Sequence, residues 1–191
     1  MAGKQAKVLV DHHVQDLLAY ATASRYPVRN RVIVLLSVKA GLRAGEIANL
    51  TWPMVLDPRG GISPYIELHD GAAKMGSGRR LPLHNDLREA LVRWREVSDG
   101  TRHVVHSERG GGLTPSSIAN WFNEAYRALG LAGCSSHSGR RTFITRAARL
   151  VHKTGGSLRD VQLLAGHRSI QTTQQYIDGD TDAQRHLVSL I

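Results

Sequence analysis

The chain has 191 residues, enough for one domain with a real hydrophobic core, or for one domain plus a small appendage. Its formal net charge is +9, from 25 lysines and arginines against 16 aspartates and glutamates, and this balance favours a polyanionic partner, nucleic acid ahead of an acidic membrane surface. The only cysteine, Cys134, excludes an intramolecular disulfide, and the longest aliphatic run, residues 32–36, is far too short to span a bilayer.

These features predict a soluble, cytoplasmic protein that does not enter a membrane. The N-terminus is charged, and its apolar run at residues 8–10 is too short for a secretory signal. Lysine and arginine concentrate in residues 17–45, which contain no acidic residue, and in residues 134–176, which contain only Asp160. This clustering favours a nucleic-acid surface, and a solvated basic surface is the simpler alternative.

The first half of the chain predicts three helices after a polar lead-in at residues 1–10. A first helix begins at Asp11, because the apolar residues that follow recur at helical spacing. Pro27 opens a second helix, whose segment 32–36 is apolar on all sides and is therefore expected in the core. Gly41 ends that helix, and a third begins within residues 41–47 and continues to about Leu50.

Arg43 and Glu46 lie three residues apart in this third helix, among apolar neighbours. One interpretation is an arginine that a carboxylate holds at the edge of the core. The other is an ordinary ion pair on a helix surface. The sequence alone leaves these two interpretations even.

The segment between Trp52 and Leu83 predicts a β-hairpin. Prolines and glycines interrupt helical patterns there, and residues 65–68 and 79–83 have the character of short strands. Their connection, residues 70–78, places Lys74 on a glycine-rich loop. This loop lacks the strand–loop–helix context of a nucleotide-binding P-loop, and a solvated lysine is the alternative to a functional one.

The second half predicts further helices. One covers about residues 84–97, and another begins at Thr114-Pro115, a cap followed by proline. A third is expected from Gly139 to the glycine pair 155–156, with Leu150 and Val151 facing inward. Ser157 caps the next helix, with Asp160 three residues later in a capping-box arrangement, and this helix stops at Gly166. A short helix is expected over residues 169–177, and a last helical segment follows residue 179.

Residues 136–176 contain side chains suited to holding an anion beside a phenol. His137 and Arg140 are three apart and so reach the same side of a helix. His167 follows a glycine, and Tyr176 comes nine residues later. A tyrosine hydroxyl, with a pKa of about 10, is a weak nucleophile until a base or nearby cations activate it.

Cleavage of a phosphodiester by such a tyrosine requires further groups. Arginine matches phosphate oxygens with its planar fork, a loop lysine can protonate a leaving alkoxide, and histidine can donate to phosphate or move a proton. One candidate exists for each role: Arg43, Lys74, His137, Arg140, His167 and Tyr176. No pair of carboxylates accompanies them in the sequence, so the prediction includes neither a metal nor a cofactor.

Five motifs occur in a fixed order along the chain. They are Gly41-Leu42-Arg43-x-x-Glu46-Ile47, Lys74 before Arg80-Leu81-Pro82-Leu83, His137-x-x-Arg140, Leu164-Ala165-Gly166-His167, and Tyr176. Each alone is a weak signal. Together they resemble the catalytic domain of the tyrosine recombinases, the phage integrase family, over nearly the whole chain from about residue 11.

The resemblance implies an α+β fold that is mainly helical with a small antiparallel sheet. It implies site-specific DNA recombination (integration, excision or inversion) through a 3′-phosphotyrosyl intermediate, without a metal. The roles it implies are the following: Tyr176 is the nucleophile, Arg43 and Arg140 clamp the phosphate, Lys74 is the general acid, His137 and His167 bind phosphate and assist proton transfer, and Glu46 orients the site.

The implied partners are double-stranded DNA, further copies of the chain in a tetramer on DNA, and an accessory DNA-bending protein. Residues 11–180 would form the catalytic domain, and a helix at residues 181–191 would dock on a neighbouring protomer. Most family members carry a separate DNA-binding domain before the catalytic one. The chain is therefore expected to be either a catalytic fragment or a compact recombinase similar to those that invert fimbrial switches.

One motif departs from the family's pattern. Ser138-Gly139 stands where the family more often has a bulky apolar residue before the arginine, and this is expected to loosen the packing under His137. Two other functions are alternatives: a type IB topoisomerase, which shares the chemistry, and a DNA-binding regulator that has lost catalysis. An intact Arg43, Lys74, Arg140 and Tyr176 argues against the regulator.

Overall fold

The computed structural model describes residues 6–72, 78–98 and 100–176, together with 185, 188, 189 and 191. Within these residues the chain is mainly helical, with one two-stranded antiparallel sheet, as predicted. The elements in chain order are α1 (Asp11–Ala23), α2 (Pro27–Lys39), α3 (Ala44–Asn49), β1 (Tyr65–Leu68), β2 (Arg79–Pro82), α4 (Asn85–Val97), α5 (Pro115–Ala128), α6 (Ser138–Leu150), α7 (Leu158–Ala165) and α8 (Ile170–Gln174), with 3-10 turns at Trp52–Met54 and Val151–Thr154.

Helix α2 is the centre of the larger hydrophobic core. All five residues of its apolar segment 32–36 are fully buried. The helix packs against α1, α4 and α6, which together surround it. A helix that is apolar on every side is stable only when other elements cover it, so the predicted central position is confirmed.

The predicted hairpin is also present. Strand β1 has the predicted bounds, and β2 ends one residue earlier than expected, at Pro82. Leu68 pairs with Arg79 at the end of the hairpin that adjoins the connecting loop. Residues 73–77 of that loop, including Lys74, lie outside the described residues.

Helix α6 ends earlier than predicted. It stops at Leu150 and a 3-10 turn continues to Thr154, before Gly155 adopts a left-handed conformation with φ of +72°. The prediction that Leu150 faces inward is wrong, because 52% of it is exposed, whereas Val151 is buried as predicted. Val151 joins a second, smaller core between α6 and α7, formed by Ile144, Ala148, Val151, Val161 and Ala165.

The described part of the predicted polar lead-in packs against the helices. Leu9 is 1% exposed, and its backbone N–H donates to the Thr142 hydroxyl at 2.8 Å. The Lys7 N–H donates to the Gly133 carbonyl at 3.3 Å. Residues 6–10 therefore contribute to the fold. Most of residues 181–191 lie outside the described residues, so a docking helix there stays a prediction.

None of the helices formed by the described residues is long and apolar enough to cross a membrane.

Candidate active site

Five of the predicted site residues line one open pocket of about 380 Å³: Arg43, His137, Arg140, His167 and Tyr176. They come from four places in the chain: the residue before α3, the start of α6, the second residue after α7, and the turn after α8. Glu46 contacts Arg43 from the buried side of this pocket. Lys74, the remaining predicted residue, lies outside the described residues.

Arg140 is the most deeply buried of the pocket's cations, with 4% of it exposed. Its Nη1 donates to the Gly41 carbonyl at 2.7 Å and its Nη2 to the Ala165 carbonyl at 2.6 Å. Burial, with Arg43 as the next contribution, lowers the pKa of Arg140 to about 10. The guanidinium is therefore still charged at neutral pH, and it ties the turn after α2 to the end of α7.

Gly41 lets its carbonyl reach Arg140. Its φ is +64°, in the left-handed region that glycine adopts readily. A Cβ at this position would lie 3.0 Å from Cγ and 3.1 Å from Cε1 of Phe143 on α6. The backbone of Gly41 thus lies directly on the Phe143 ring, and any side chain there would separate it from α6.

Gly139 brings α6 close to α2. A Cβ at this position would lie 3.0 Å from the Cβ of Ser37 and 3.1 Å from Cγ1 of Val38. The neighbouring Ser138 is fully buried. The expectation that a small residue here loosens the packing is wrong, since α2 occupies the space that a larger side chain would need. His137, the residue immediately before α6, is exposed at the pocket rim.

Glu46 holds two arginines while being only 1% exposed. It accepts from Nη1 of Arg43 at 3.0 Å and from the Arg43 backbone N–H at 2.9 Å. It also accepts from Nη1 and Nη2 of Arg79, at 2.9 and 3.2 Å. Burial acts to raise the pKa of the Glu46 carboxyl, but hydrogen bonds and charge from Arg79 and Arg43 outweigh it and lower this pKa. The structure therefore favours an arginine held at the edge of the core over a surface ion pair.

His167 is held through both its backbone and its ring. Gly166 ends α7 with φ of +63°, as predicted, and the His167 carbonyl accepts from the Gln162 amide at 2.9 Å. The ring Nδ1 lies 2.9 Å from the Thr173 hydroxyl. Burial lowers the pKa of His167 to about 4, with the positive charges of the pocket arginines, Arg140 first, adding to the effect. The imidazole is therefore neutral at physiological pH.

Tyr176 packs against His167 and α6. Its ring stacks on the His167 ring with 5.6 Å between centroids, and the Arg141 guanidinium lies 5.7 Å from the Tyr176 ring centre. The ring also packs against the smaller core between α6 and α7. Tyr176 follows α8 in a turn, whereas a helix was expected to include it.

Arg79 and Thr173 contact the site although the sequence singled out neither of them. Arg79 entered only as the first residue of a strand. Its signal is the strand alternation: residues 79 and 81 share a face, Leu81 is 1% exposed, and an arginine on that inward face requires a carboxylate. Thr173 is fully buried on the short helix α8 and had no comparable signal.

Comparison with known proteins identifies the family of this chain. The model of the phage integrase family matches residues 7–182. The chain belongs to the phage integrase family. Among its curated relatives, tyrosine recombinase XerC of Erythrobacter litoralis is 31% identical over 172 residues, which are 89% of this chain and 52% of that protein. Tyrosine recombinase XerA of Pyrococcus furiosus is 28% identical over 174 residues, covering 89% of this chain and 56% of that protein.

Solved structures show the same fold for this family member. The crystal structure of XerA recombinase superposes with a TM-score of 0.74 at 22% identity, covering 96% of this chain and 64% of that one. A lambda integrase tetramer bound to a Holliday junction gives 0.72 at 21% identity, covering 92% and 49%. The predicted resemblance and fold are confirmed, and the chain spans about half the length of the curated relatives it matches.

Proposed function

We propose that this chain catalyses site-specific DNA recombination by cleaving and rejoining strands through a 3′-phosphotyrosyl intermediate, without a metal ion. The observation that carries the proposal is the pocket in which Tyr176 lies with Arg43, Arg140 and two histidines. A phenol beside two arginine guanidiniums is suited to attack a phosphodiester, because the cations stabilise the negative charge that develops on the phosphate oxygens.

In the proposed reaction the Tyr176 oxygen bonds to phosphorus and the bond to the 5′-oxygen breaks. Arg43 and Arg140 hold the non-bridging oxygens, and His137 at the rim donates to the phosphate. Lys74 gives its proton to the departing 5′-oxygen. The link to tyrosine conserves the energy of the broken bond, so a second 5′-hydroxyl can reverse the step on another strand.

His167 is the proposed acceptor of the tyrosine proton. Its neutral state supports this role, because an imidazolium has no free lone pair. A bound phosphate brings negative charge close to the arginines that depress the pKa of His167. Its binding would therefore raise this pKa and make the ring a stronger base when DNA is present.

The proposed partner is double-stranded DNA, bound by four copies of the chain. Lambda integrase forms a tetramer on a Holliday junction, and this family member shares its fold. The charge of +9 supports binding that weakens steeply as salt rises. Residues 181–191 are proposed to dock on a neighbouring protomer, and an accessory DNA-bending protein is proposed to assist assembly.

Covalent trapping tests the proposed function. Wild type, Tyr176→Phe and the control Tyr20→Phe are incubated, without metal, with nicked suicide duplexes drawn from the flanks of the gene that encodes the chain. We expect a denaturant-resistant adduct with wild type and Tyr20→Phe, and none with Tyr176→Phe. Tight, salt-sensitive binding without any adduct would refute the proposal in favour of a DNA-binding regulator. Relaxation of a supercoiled plasmid that lacks any paired site would instead indicate a topoisomerase.

A further inference from the structure

Arg79 is a buried cation where three segments of the site meet. Its side chain is 6% exposed, although it begins a strand of a surface hairpin. Its guanidinium contacts Glu46 of α3 and the last turn of α7. Burying a charge costs free energy unless hydrogen bonds compensate for it, so this placement requires several well-aligned partners.

The first of these partners is Glu46. The fork of Arg79 bonds both oxygens of this carboxylate, at 2.9 and 3.2 Å, in a bidentate pair. The same carboxylate bonds the side chain and the backbone N–H of Arg43. Arg79 therefore fixes the orientation of the group that holds Arg43 at the pocket.

The second partner is the end of α7. Nε of Arg79 donates to the Leu164 carbonyl at 3.0 Å. A Cβ at Gly166 would lie 2.8 Å from Nη1 and 3.0 Å from Cδ of Arg79, so the arginine lies directly on this glycine. His167 is the next residue, and the Ala165 carbonyl between these contacts accepts from Arg140.

We propose that Arg79 is a positioning residue, which sets Arg43 and His167 at one fixed separation around the scissile phosphate. The proposal rests on the proposed function above. One positive charge would already balance Glu46, and Arg43 supplies it. Arg79 contributes a bridge between two segments. Its planar guanidinium bonds Glu46, in the first turn of α3 next to Arg43, and the Leu164 carbonyl, in the last turn of α7 before His167. A shift of about 1 Å between reacting groups costs about 100-fold in rate, so such a bridge has a measurable effect.

The test compares Arg79→Met with Arg79→Lys and with the control Arg80→Met. Arg80 is the next residue in the same strand, and its side chain is 62% exposed and faces Glu67. Single-turnover adduct formation on saturating suicide duplex is measured together with DNA affinity. We expect Arg79→Met to cleave about 100-fold more slowly, with DNA affinity lowered by no more than about tenfold. Lysine should restore part of the rate, because it can bond one Glu46 oxygen but lacks the planar fork, and Arg80→Met should match wild type.

The double variant Glu46→Gln/Arg79→Met separates positioning from charge balance, because it removes the buried carboxylate together with its second cation. We expect it to be as slow as Arg79→Met. If it cleaves at the wild-type rate, or if Arg79→Met lowers DNA affinity and rate by the same factor, the positioning role is refuted.

Binding of inorganic phosphate to the free protein, followed by NMR of the His167 ring, makes the test independent of recombination. We expect Arg79→Met to weaken phosphate binding about tenfold, the size of the effect that loss of an outer hydrogen-bonding partner has at metal sites. Arg80→Met should leave phosphate binding unchanged. Equal phosphate affinity in Arg79→Met and wild type would overturn the inference even if wild type cleaves no DNA, whereas weakened phosphate binding without any adduct would refute only the proposed function.

Discussion

Replacing Gly41 by alanine should damage the fold and the pocket together. The added Cβ meets two separate costs. A non-glycine residue at φ of +64° loses about 1–2 kcal/mol because its Cβ crowds its own backbone. The same Cβ would also press on the Phe143 ring, at 3.0 Å from Cγ and 3.1 Å from Cε1, and such overpacking costs about 1–3 kcal/mol.

The expected loss of unfolding free energy is therefore about 2–5 kcal/mol, measured by urea denaturation. Gly130→Ala is the matched control, because its φ is +67° and no atom of the described residues lies within 4 Å of the added Cβ. Gly130→Ala should lose only the unfolding free energy that the positive φ costs, about 1–2 kcal/mol. Phe143→Leu should relieve most of the steric cost that the added Cβ meets at the Phe143 ring. This substitution is made in both the wild-type and the Gly41→Ala backgrounds, and its coupling energy with Gly41→Ala measures that steric cost directly.

Gly41→Ala should also slow adduct formation, because the Gly41 carbonyl is an acceptor for Arg140. Equal destabilisation by Gly41→Ala and Gly130→Ala, within about 0.5 kcal/mol, would refute the argument that close packing on Phe143 demands a glycine here.

Three further predictions concern the charged groups. Glu46→Gln leaves two arginines facing a neutral amide and should lower the unfolding free energy by about 3–5 kcal/mol. The control Glu67→Gln, at an exposed ion pair, should lower it by less than about 1 kcal/mol. Urea denaturation of both variants measures the difference. The pKa of His167 is depressed in the folded protein, so the contribution of this residue to the unfolding free energy is fully present above about pH 6.5 and is lost as the pH falls through about 4. This loss should lower the unfolding free energy by at most about 3 kcal/mol over that pH range. In urea denaturation, the unfolding free energy of His167→Gln should therefore decrease less steeply with falling pH than that of wild type. Lys74→Ala should cleave ordinary DNA about 10²–10⁴-fold more slowly, yet cleave a duplex with sulfur at the 5′ leaving position at nearly the wild-type rate, because a thiolate leaves without a proton; equal slowing on both substrates would exclude the general-acid role.

The sequence by itself determined the order of the helices, the hairpin and the residues that meet at the pocket. Local signals carried this information: Pro27 at a helix start, Gly166 at a helix end, and the pairing of Ser157 with Asp160 in a capping box. These act within a few residues and so are readable without tertiary structure. The resemblance of the motifs, in turn, identified which polar residues gather at the site.

Only the tertiary structure decided how those residues are held. Whether Glu46 meets one arginine or two depends on Arg79, which is 33 positions away in the chain. The small size of Gly139 suggested loose packing, whereas in the folded protein α2 packs directly against it. The low pKa of His167 arises from burial beside arginines that come from three separate elements. Burial and electrostatic interactions depend on distance in space, and that distance is set by how the helices pack, which no local pattern specifies.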